Sequence, residues 1–411
     1  MRKPALLRLS FLLFLTSAGP VSMPAAGHTA RPSPSADAKC AEQVVHALCG
    51  KQVALLGESR EHAFGRTLEF KAELVRRLVD ACHYNALFIE SGTYDFLQIE
   101  KTLESGHHVT DAMIAAAIGG LWSNKEVQSL VPFLRERVMA GSLTLGGLDD
   151  QLGGGTWASR DMAFDLVQHL PDSDKSRCHG ILQRRLSWHY TADAPYSPSD
   201  KEKIIGCLNE IQGRLSQPKE AREPWAEQDN AMVESLKRNF ARDFTEDDFT
   251  KSDQELKWMN DRDRSMYLNF KWLLSRLPPH SKVIVWAATV HVAKDLTGID
   301  GFEGREPLGS YIRRDFGDRA FSLGLSAYSG EYAFADRPVQ QLSAASASSL
   351  EGQAFLQRDS DAVYLSRKQL EKRGSVRGRP LGTSSSTAHW DNVLDGLVIF
   401  RKEHAPAWLH R

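Results

Sequence analysis

The sequence lacks an excess of charge of either sign, because its 51 lysine and arginine residues almost balance its 52 aspartate and glutamate residues. The formal net charge of -1 provides no global field, so we expect neither nucleic acid nor an anionic membrane as a partner. The composition, 42% hydrophobic and 25% charged, is typical of a globular chain. The 411 residues are enough for one large domain or two smaller ones with a sizeable core.

Near the N-terminus, the sequence has an apolar run that is too short to cross a membrane. This run, Leu9–Leu15, falls well below the ~20 residues that span a bilayer. Basic residues precede it and small residues follow, with cleavage expected after Ala18 or near residues 25–26. We therefore predict a signal peptide over 1–26, a disordered leader over 27–39 and a periplasmic or secreted protein, with a retained anchor as the alternative.

Cysteine is scarce, and no C-x-x-C pair indicates a zinc site. Export would permit disulfides. Two pairings are candidates, Cys178 with Cys207 across a helical stretch and Cys49 with Cys82 before two predicted strands. Cys40 is then left over.

Several catalytic motifs are also missing. There is no G-x-S-x-G elbow, which disfavours a conventional serine α/β-hydrolase. There is no H-E-x-x-H helix, so a zinc metalloprotease site has no support. There is also no Walker A loop and no G-x-G-x-x-G after the first predicted strand, so nucleotide and dinucleotide sites have none either.

What the sequence does contain is a series of short, continuous apolar runs, which suit strands buried on both faces. Amphipathic helical patterns such as Phe70–Leu78 separate them. We predict an α/β fold over 40–411, with a parallel or mixed β-sheet core flanked by helices. A helical insertion is expected at about 160–252, and flexible loops at 343–349 and 374–386. The six predicted strands are Gln52–Leu56, Ala86–Ile89, Leu143–Leu145, Val283–Trp286, Phe321–Leu325 and Leu397–Phe400.

Polar residues follow four of these runs, and parallel strands would bring them to one rim, where ligands bind in open α/β sheets. A carboxylate at Glu58 would raise the basicity of His62, although a helix-start glutamate and a surface histidine would give the same pattern. Glu90 follows an apolar run directly and needs a cationic partner, for which Lys71 and Arg262 are candidates. We predict a functional acid or base at Glu90, with a buried structural ion pair as the alternative. The other strand-end residues are Asp149, Gln151 and His291.

The order of these motifs resembles the erythromycin esterase family over about residues 51–400. The resemblance departs from the family pattern in three places. One extra residue separates Glu58 from His62, Lys71 stands where many members have arginine, and Ala288-Thr289 replaces a His-Asn pair. The matching segments are Gly57–His62, Lys71, Phe88–Glu90, Gly147–Gln151, Arg262–Asn269, Trp286–His291, Pro307–Tyr311 and Phe316–Asp318.

The resemblance implies a hydrolase of a small-molecule carboxylic ester or lactone; characterised members open a macrolide lactone. By this analogy His62 is the general base, Glu58 and Glu90 orient the water, and a cation stabilises the oxyanion. No cofactor is expected, and nothing indicates an oligomeric state. Two alternatives stay open: a metal-dependent hydrolase or peptidase using the same residues, and a small-molecule-binding protein without catalysis. The candidate cations are Lys71, Arg262 and His291, and the candidate substrate-binding residues are Asp149, Gln151, Arg60 and Trp122.

Overall fold

Buried aliphatic side chains build the central sheet of this protein. A computed structural model describes residues 36–217, 225–242, 252–335, 337–356 and 360–409. The predicted signal peptide and residues 27–35 of the predicted leader lie outside the described residues. The described strands are β1 (Val53–Leu56), β2 (Ala86–Gly92), β3 (Thr144–Asp149), β4 (Val283–Trp286), β5 (Ala320–Tyr332), β6 (Gln340–Leu342), β7 (Ala362–Ser366), β8 (Ser375–Gly378), β9 (Ser386–His389) and β10 (Gly396–Glu403).

Eight of these strands form one mixed sheet in the order β3-β2-β4-β1-β5-β10-β7, with β6 paired to β5. The adjacent strands β3, β2, β4, β1, β5 and β10 run parallel. At the periphery, β7 pairs antiparallel with β10, and β6 pairs antiparallel with β5. Strands β1 and β4 are buried along their whole length, as expected for continuous apolar runs covered on both faces. The predicted α/β fold with a mixed sheet is confirmed.

Helices cover the sheet, and the first of them begins at Ala36, before the predicted domain start. Within the described ranges no helix is both long enough and apolar enough to cross a membrane. The helices are α1 (Ala36–Cys49), α2 (Gly65–Cys82), α3 (Thr93–Glu104), α4 (Asp111–Ile118), α5 (Lys125–Gln128), α6 (Val131–Met139), α7 (Trp157–Arg160), α8 (Met162–Val167), α9 (Asp172–Leu186), α10 (Pro198–Leu215), α11 (Ala226–Ala241), α12 (Ser252–Ser275), α13 (Thr289–Val292), α14 (Leu308–Phe316), α15 (Leu350–Phe355), α16 (Arg367–Glu371) and α17 (Trp390–Val393).

Helices α7 to α11 share a hydrophobic cluster of their own, which also includes Tyr94 and Leu97 of α3. Local sequence defines these helices well: Ser197 caps α10 reciprocally with Asp200, and Pro198 occupies its first turn. Most of the predicted insertion falls in this region, while 218–224 and 243–251 lie outside the described residues.

Two disulfides join neighbouring helices, and both are the predicted pairs. Cys49–Cys82 links α1 to α2, and Cys178–Cys207 links α9 to α10. Cys40 is buried in α1 and belongs to neither bridge.

The stretch 374–386 is not a simple loop, and that prediction is wrong. It contains β8, which pairs antiparallel with β9 to form a separate two-stranded sheet. Val376 and Ala388 place their side chains in a hydrophobic cluster with Trp390, which provides the burial that fixes the strands. Exposed and buried residues alternate along β8, but the Ser- and Arg-rich composition of the segment obscured this strand pattern in the sequence.

Candidate active site

Parallel strands bring the candidate residues to one edge of the sheet. Leu56 of β1 and Ile89 of β2 both pair with Trp286 of β4, so the carboxyl ends of β1 and β4 lie level with the residue before Glu90. Glu58 follows β1 by two residues, and its carbonyl accepts a hydrogen bond from the Thr289 backbone at 2.7 Å. Polar side chains that follow these strands are therefore forced into proximity.

Glu58 is the centre of the first cluster and is almost completely buried. Its Oε1 accepts hydrogen bonds from His62 Nδ1 and from Trp122 Nε1, each at 2.8 Å. Its Oε2 lies 3.4 Å from Lys71 Nζ. Burial raises the pKa of Glu58, but Lys71, His62 and Trp122 together outweigh burial and hold that pKa below its usual value. Glu58 is therefore ionised at neutral pH.

His62 is held in an unusual backbone conformation. Its φ of 52° lies in the left-handed region, which non-glycine residues seldom adopt and which is often found at functional sites. Its ring packs edge-on against Trp122 with centroids 5.0 Å apart. When Nδ1 donates to Glu58, the opposite nitrogen Nε2 carries the lone pair. In the described part of the chain no residue hydrogen bonds to Nε2, so it is the nitrogen available to a reactant.

Lys71 of α2 is fully buried beside this pair. Its Nζ lies 4.3 Å from the centre of the Trp286 ring and 3.4 Å from the carbonyl oxygen of Ala287. Burial lowers the pKa of Lys71 to about 8, with the Glu58 carboxylate opposing that shift. Both of its polar contacts are long, so Lys71 is a buried cation that is only loosely held.

Glu90 is the centre of the second cluster. Its Oε1 accepts from Arg262 Nη2 at 2.9 Å, and its Oε2 accepts from the Ala288 backbone at 2.8 Å. Arg262 also contacts Asp149 through Nη2 at 2.5 Å and through Nε at 3.2 Å. Burial raises the pKa of Glu90, but His291 and Arg262 hold it well below its usual value. The Glu90 carboxylate is therefore held between cations.

His291 lies between two carboxylates. Its Nε2 is 3.0 Å from Glu90 Oε1, and its Nδ1 is 2.7 Å from Asp263 Oδ1. Burial lowers the pKa of His291, but Asp263 and Glu90 outweigh burial and raise it to about 9. Arg262 Nη1 also lies 3.1 Å from Nε2, in a geometry that suits donation to a neutral ring, whereas the two carboxylates favour the protonated ring. Both ring nitrogens of His291 contact other side chains of the cluster, so neither is directed at a reactant.

Asp263 is a site residue that the sequence did not single out. It is fully buried, and beyond His291 it contacts Arg305 Nη2 at 3.0 Å and the Leu308 backbone nitrogen at 2.9 Å. Its position directly after the candidate residue Arg262 was the sequence feature that could have identified Asp263 as a site residue. Ala288, where the family pattern has histidine, packs in a hydrophobic cluster with Val290.

A cavity of about 190 Å³ opens beside the second cluster. Trp122, Glu90, Asp149 and Gln151 line it, which brings three of the four predicted substrate-binding residues together. The fourth, Arg60, is not among the lining residues. Its side chain is exposed, contacts Glu61 at 3.3 Å and lies on the surface of the loop after β1. The volume is below the ~300–1,000 Å³ that is typical of a ligand pocket.

The described side chains offer no ready metal centre. Among them, no group of three or more His, Cys, Asp or Glu residues is arranged to hold a metal ion. The carboxylates of Glu58 and Glu90 are already paired with protein cations.

A mixed α/β sheet with a glutamate-oriented histidine and buried cations at its strand ends points to the hydrolase class. The chain belongs to the erythromycin esterase family, whose model matches residues 79–402. That range begins after Glu58, His62 and Lys71, which therefore lie outside the matched segment.

Comparison with individual proteins agrees with this class. The Bacillus subtilis protein "Putative hydrolase YbfO" is 22% identical over 302 residues. The match covers 69% of this chain and 66% of that protein, just under two thirds of its length.

Solved structures share the fold. A Bacillus cereus protein superposes with a TM-score of 0.67 and 17% identity over 92% of this chain and 95% of its own. A succinoglycan biosynthesis protein gives 0.69 and 13%, covering 89% of this chain and 91% of its own. A mutant of the erythromycin esterase EreC in its open conformation gives 0.63 and 15%, over 89% and 94%. At these identities the likeness shows the fold alone.

Proposed function

We propose that this protein hydrolyses a small-molecule carboxylic ester or lactone, using a water molecule activated by His62 and no metal ion. The observation that carries this proposal is the 2.8 Å contact between His62 Nδ1 and the buried Glu58 carboxylate. The carboxylate fixes the tautomer and increases the basicity of Nε2, which is the arrangement that general-base catalysis requires.

The reaction balances with these groups alone. A water oxygen attacks the carbonyl carbon while its proton passes to His62 Nε2. The tetrahedral oxyanion collapses, the bond from carbon to the alcohol oxygen breaks, and the His62 proton passes to the leaving alkoxide. The products are an acid and an alcohol, or one hydroxy acid from a lactone.

Buried cations are the candidates for stabilising the oxyanion. Arg262 already donates to Glu90 and Asp149, and His291 lies against the carboxylates of Glu90 and Asp263. Lys71 has only two long contacts, so it has the most hydrogen-bonding capacity left for a developing charge. We assign the oxyanion role to Lys71 first, with Glu90, Arg262 and His291 as a charged framework behind the cavity.

The first experiment measures turnover by mass spectrometry. Mature protein is incubated with a macrolide lactone and a panel of simple esters and lactones, with and without a chelator. We expect at least one product heavier by one water, formed equally in the chelator. His62→Ala should reduce that product by ~10²-fold or more, in line with loss of a general base.

A matched control is His108→Ala, because His108 is exposed and lies far along the chain from the cluster. This variant should retain wild-type turnover. Loss of activity in the chelator would favour the metal-dependent alternative. Ligand binding without turnover, unaffected by His62→Ala, would favour a non-catalytic binding protein.

We also propose that the protein is exported to the periplasm or secreted. Two disulfides support this location, since such bonds persist mainly in oxidising compartments. The intact mass of protein recovered outside the cytoplasm tests it, because export predicts loss of about residues 1–26.

A further inference from the structure

A second cavity of about 420 Å³ adjoins the first, since Gln151 and Leu152 line both. Its other walls come from the helical region, mainly from α9 and α11 and the segment after α9. Where the active-site cavity is small, this neighbour has the volume of an ordinary ligand pocket. The two cavities are therefore neighbours that share the wall formed by Gln151 and Leu152.

Arg185 is the unusual residue of the second cavity. Its guanidinium carbon lies 4.9 Å from the Trp188 ring centre, 5.3 Å from that of Tyr196 and 4.5 Å from that of Phe240. Its Nε is buried without a hydrogen-bond partner, and no carboxylate in the described ranges forms an ion pair with it. Aromatic faces hold the cation in place while its charge is left uncompensated.

Neighbouring arginines add to this positive charge. Arg242 lines the same cavity, is more than nine-tenths buried and makes a bidentate pair with Asp150, while its Nε has no partner. Behind it, Arg238 donates to the neutral side chains of Ser265 and Asn269. Arg185 and Arg242 thus both line the cavity, and of these two only Arg242 pairs with a carboxylate, so the cavity wall carries positive charge that attracts an anion.

The mouth of the cavity is aromatic. Trp188 leaves 53% of its surface exposed, which is unusual for so large an apolar side chain. Its backbone φ of 50° is a left-handed conformation that non-glycine residues seldom adopt and that the fold maintains nonetheless. The Trp188 ring lies 6.1 Å from that of Tyr196. Such an exposed, fixed ring offers a flat surface to a planar ligand.

We propose that this second cavity binds the part of the substrate remote from the scissile bond, and that this part is an aromatic ring bearing a carboxylate. The carboxylate pairs with the guanidinium of Arg185, and the ring stacks on Trp188. The reacting carbonyl then lies past Gln151, in the small cavity beside Glu90. The assignment of this ligand as substrate rests on the proposed hydrolase function, whereas the binding itself does not.

The test compares two probes of the same shape, 2-naphthoate and 2-naphthamide, by calorimetry on the mature full-length protein. We expect naphthoate to bind at least tenfold more tightly than naphthamide. Arg185→Gln should remove that preference, whereas Arg214→Gln should retain it, because Arg214 is an exposed arginine of the same helical region. Trp188→Ala should weaken both probes to a similar extent.

Equal binding of the two probes to the wild-type protein would overturn the proposal, as would a preference that survives Arg185→Gln. If Arg185→Gln does not fold, the wild-type comparison and Trp188→Ala decide the matter. Naphthoate preference without hydrolysis of any ester would support the anion site and reject only the hydrolase function. Hydrolysis of uncharged esters without naphthoate preference would support the hydrolase and reject this site.

Discussion

Two buried side chains at the strand ends carry positive charge in different ways. Arg262 directs its donors at Glu90 and Asp149, and these neighbours raise its pKa further above the ordinary arginine value despite burial. Lys71 has long contacts, and burial lowers its pKa to about 8. Of these two, only Lys71 is therefore poised to lose its proton within an accessible range of pH.

The charge of Lys71 should limit activity at alkaline pH. If the ammonium stabilises the oxyanion, kcat/KM of the wild type should fall as pH rises through about 8, where the protonated form disappears. Lys71→Arg should keep measurable activity and move this alkaline limb upward, because arginine does not lose its proton there. Lys71→Met should lower kcat by ~10²–10³-fold. Full pH profiles of kcat/KM for the three proteins test this.

An unchanged alkaline limb in Lys71→Arg would reject the assignment. The alkaline fall in kcat/KM would then reflect deprotonation of His291, whose pKa is raised to about 9. The positive charge of His291 would in that case be the one that activity requires. Circular dichroism at each pH is the control, because it separates loss of charge from loss of folding.

The sequence indicated which residues lie in the two clusters better than it indicated which of them contact each other. Lys71 and Arg262 were both candidate partners of Glu90. Arg262 pairs with Glu90, whereas the carboxylate nearest to Lys71 is Glu58. Asp263 was missed as the partner of His291 because the two residues meet only through the packing of α12 against the segment after β4. Spacing along the chain cannot show that contact.

At the scale of elements, the strands predicted from the sequence are those buried on both faces. Each of the six predicted runs falls on a strand of the main sheet, because continuous apolar runs identify buried parallel strands. The strands β6, β7, β8 and β9 were missed. All four lie at the edge of the sheet or in the separate hairpin. Polar residues replace the apolar run in β6, β8 and β9, whereas β7 is an apolar run that the sequence reading passed over.

The bridge between α9 and α10 should contribute strongly to the stability of the helical region. It closes a loop with a sequence separation of 29 residues, for which chain entropy predicts about 3–4 kcal/mol. The double variant Cys178→Ala/Cys207→Ala should therefore lower the free energy of unfolding by roughly that amount in urea titrations. Arg177 and Glu210 also link these two helices, but they are partly exposed and add little.

Cys40→Ala is the control for the loss of a buried sulfur, because Cys40 belongs to neither disulfide. Its effect should be well below that of the double variant. A double variant as stable as Cys40→Ala would show that the bridge merely connects helices already held by their shared hydrophobic cluster.

At the scale of the whole molecule, several buried acidic groups favour the protonated state. Burial raises the pKa of Glu403 to about 8, although Thr67 donates two hydrogen bonds to it. Burial also raises the pKa of Glu351. The neighbouring carboxylates raise the pKa of His291 as well, to about 9. A group whose pKa is higher in the folded protein stabilises folding below its unfolded pKa and loses that contribution as pH rises through the folded value.

The fold should therefore become less stable between pH 5 and 8. The contribution of Glu403 to the free energy of unfolding is lost as pH rises from about 4.5 to about 8. Part of the His291 contribution is lost in the same window, above about pH 6.5. Carboxylates with lowered pKa values, Glu58 and Glu90, act in the opposite direction but only below their ordinary values. Thermal unfolding should show Tm falling by on the order of 5 °C from pH 5 to pH 8.

Glu403→Gln isolates the largest part of this effect. The amide oxygen still accepts from the backbone and hydroxyl of Thr67, while the titrating proton is removed. Its Tm should vary less with pH than that of the wild type, with the difference greatest near pH 8, where the variant should be the more stable protein. Glu69→Gln removes an exposed carboxylate and should leave the wild-type slope unchanged. A Glu403→Gln profile parallel to the wild type would mean that this carboxyl ionises without cost, and that His291 alone accounts for any alkaline loss of stability.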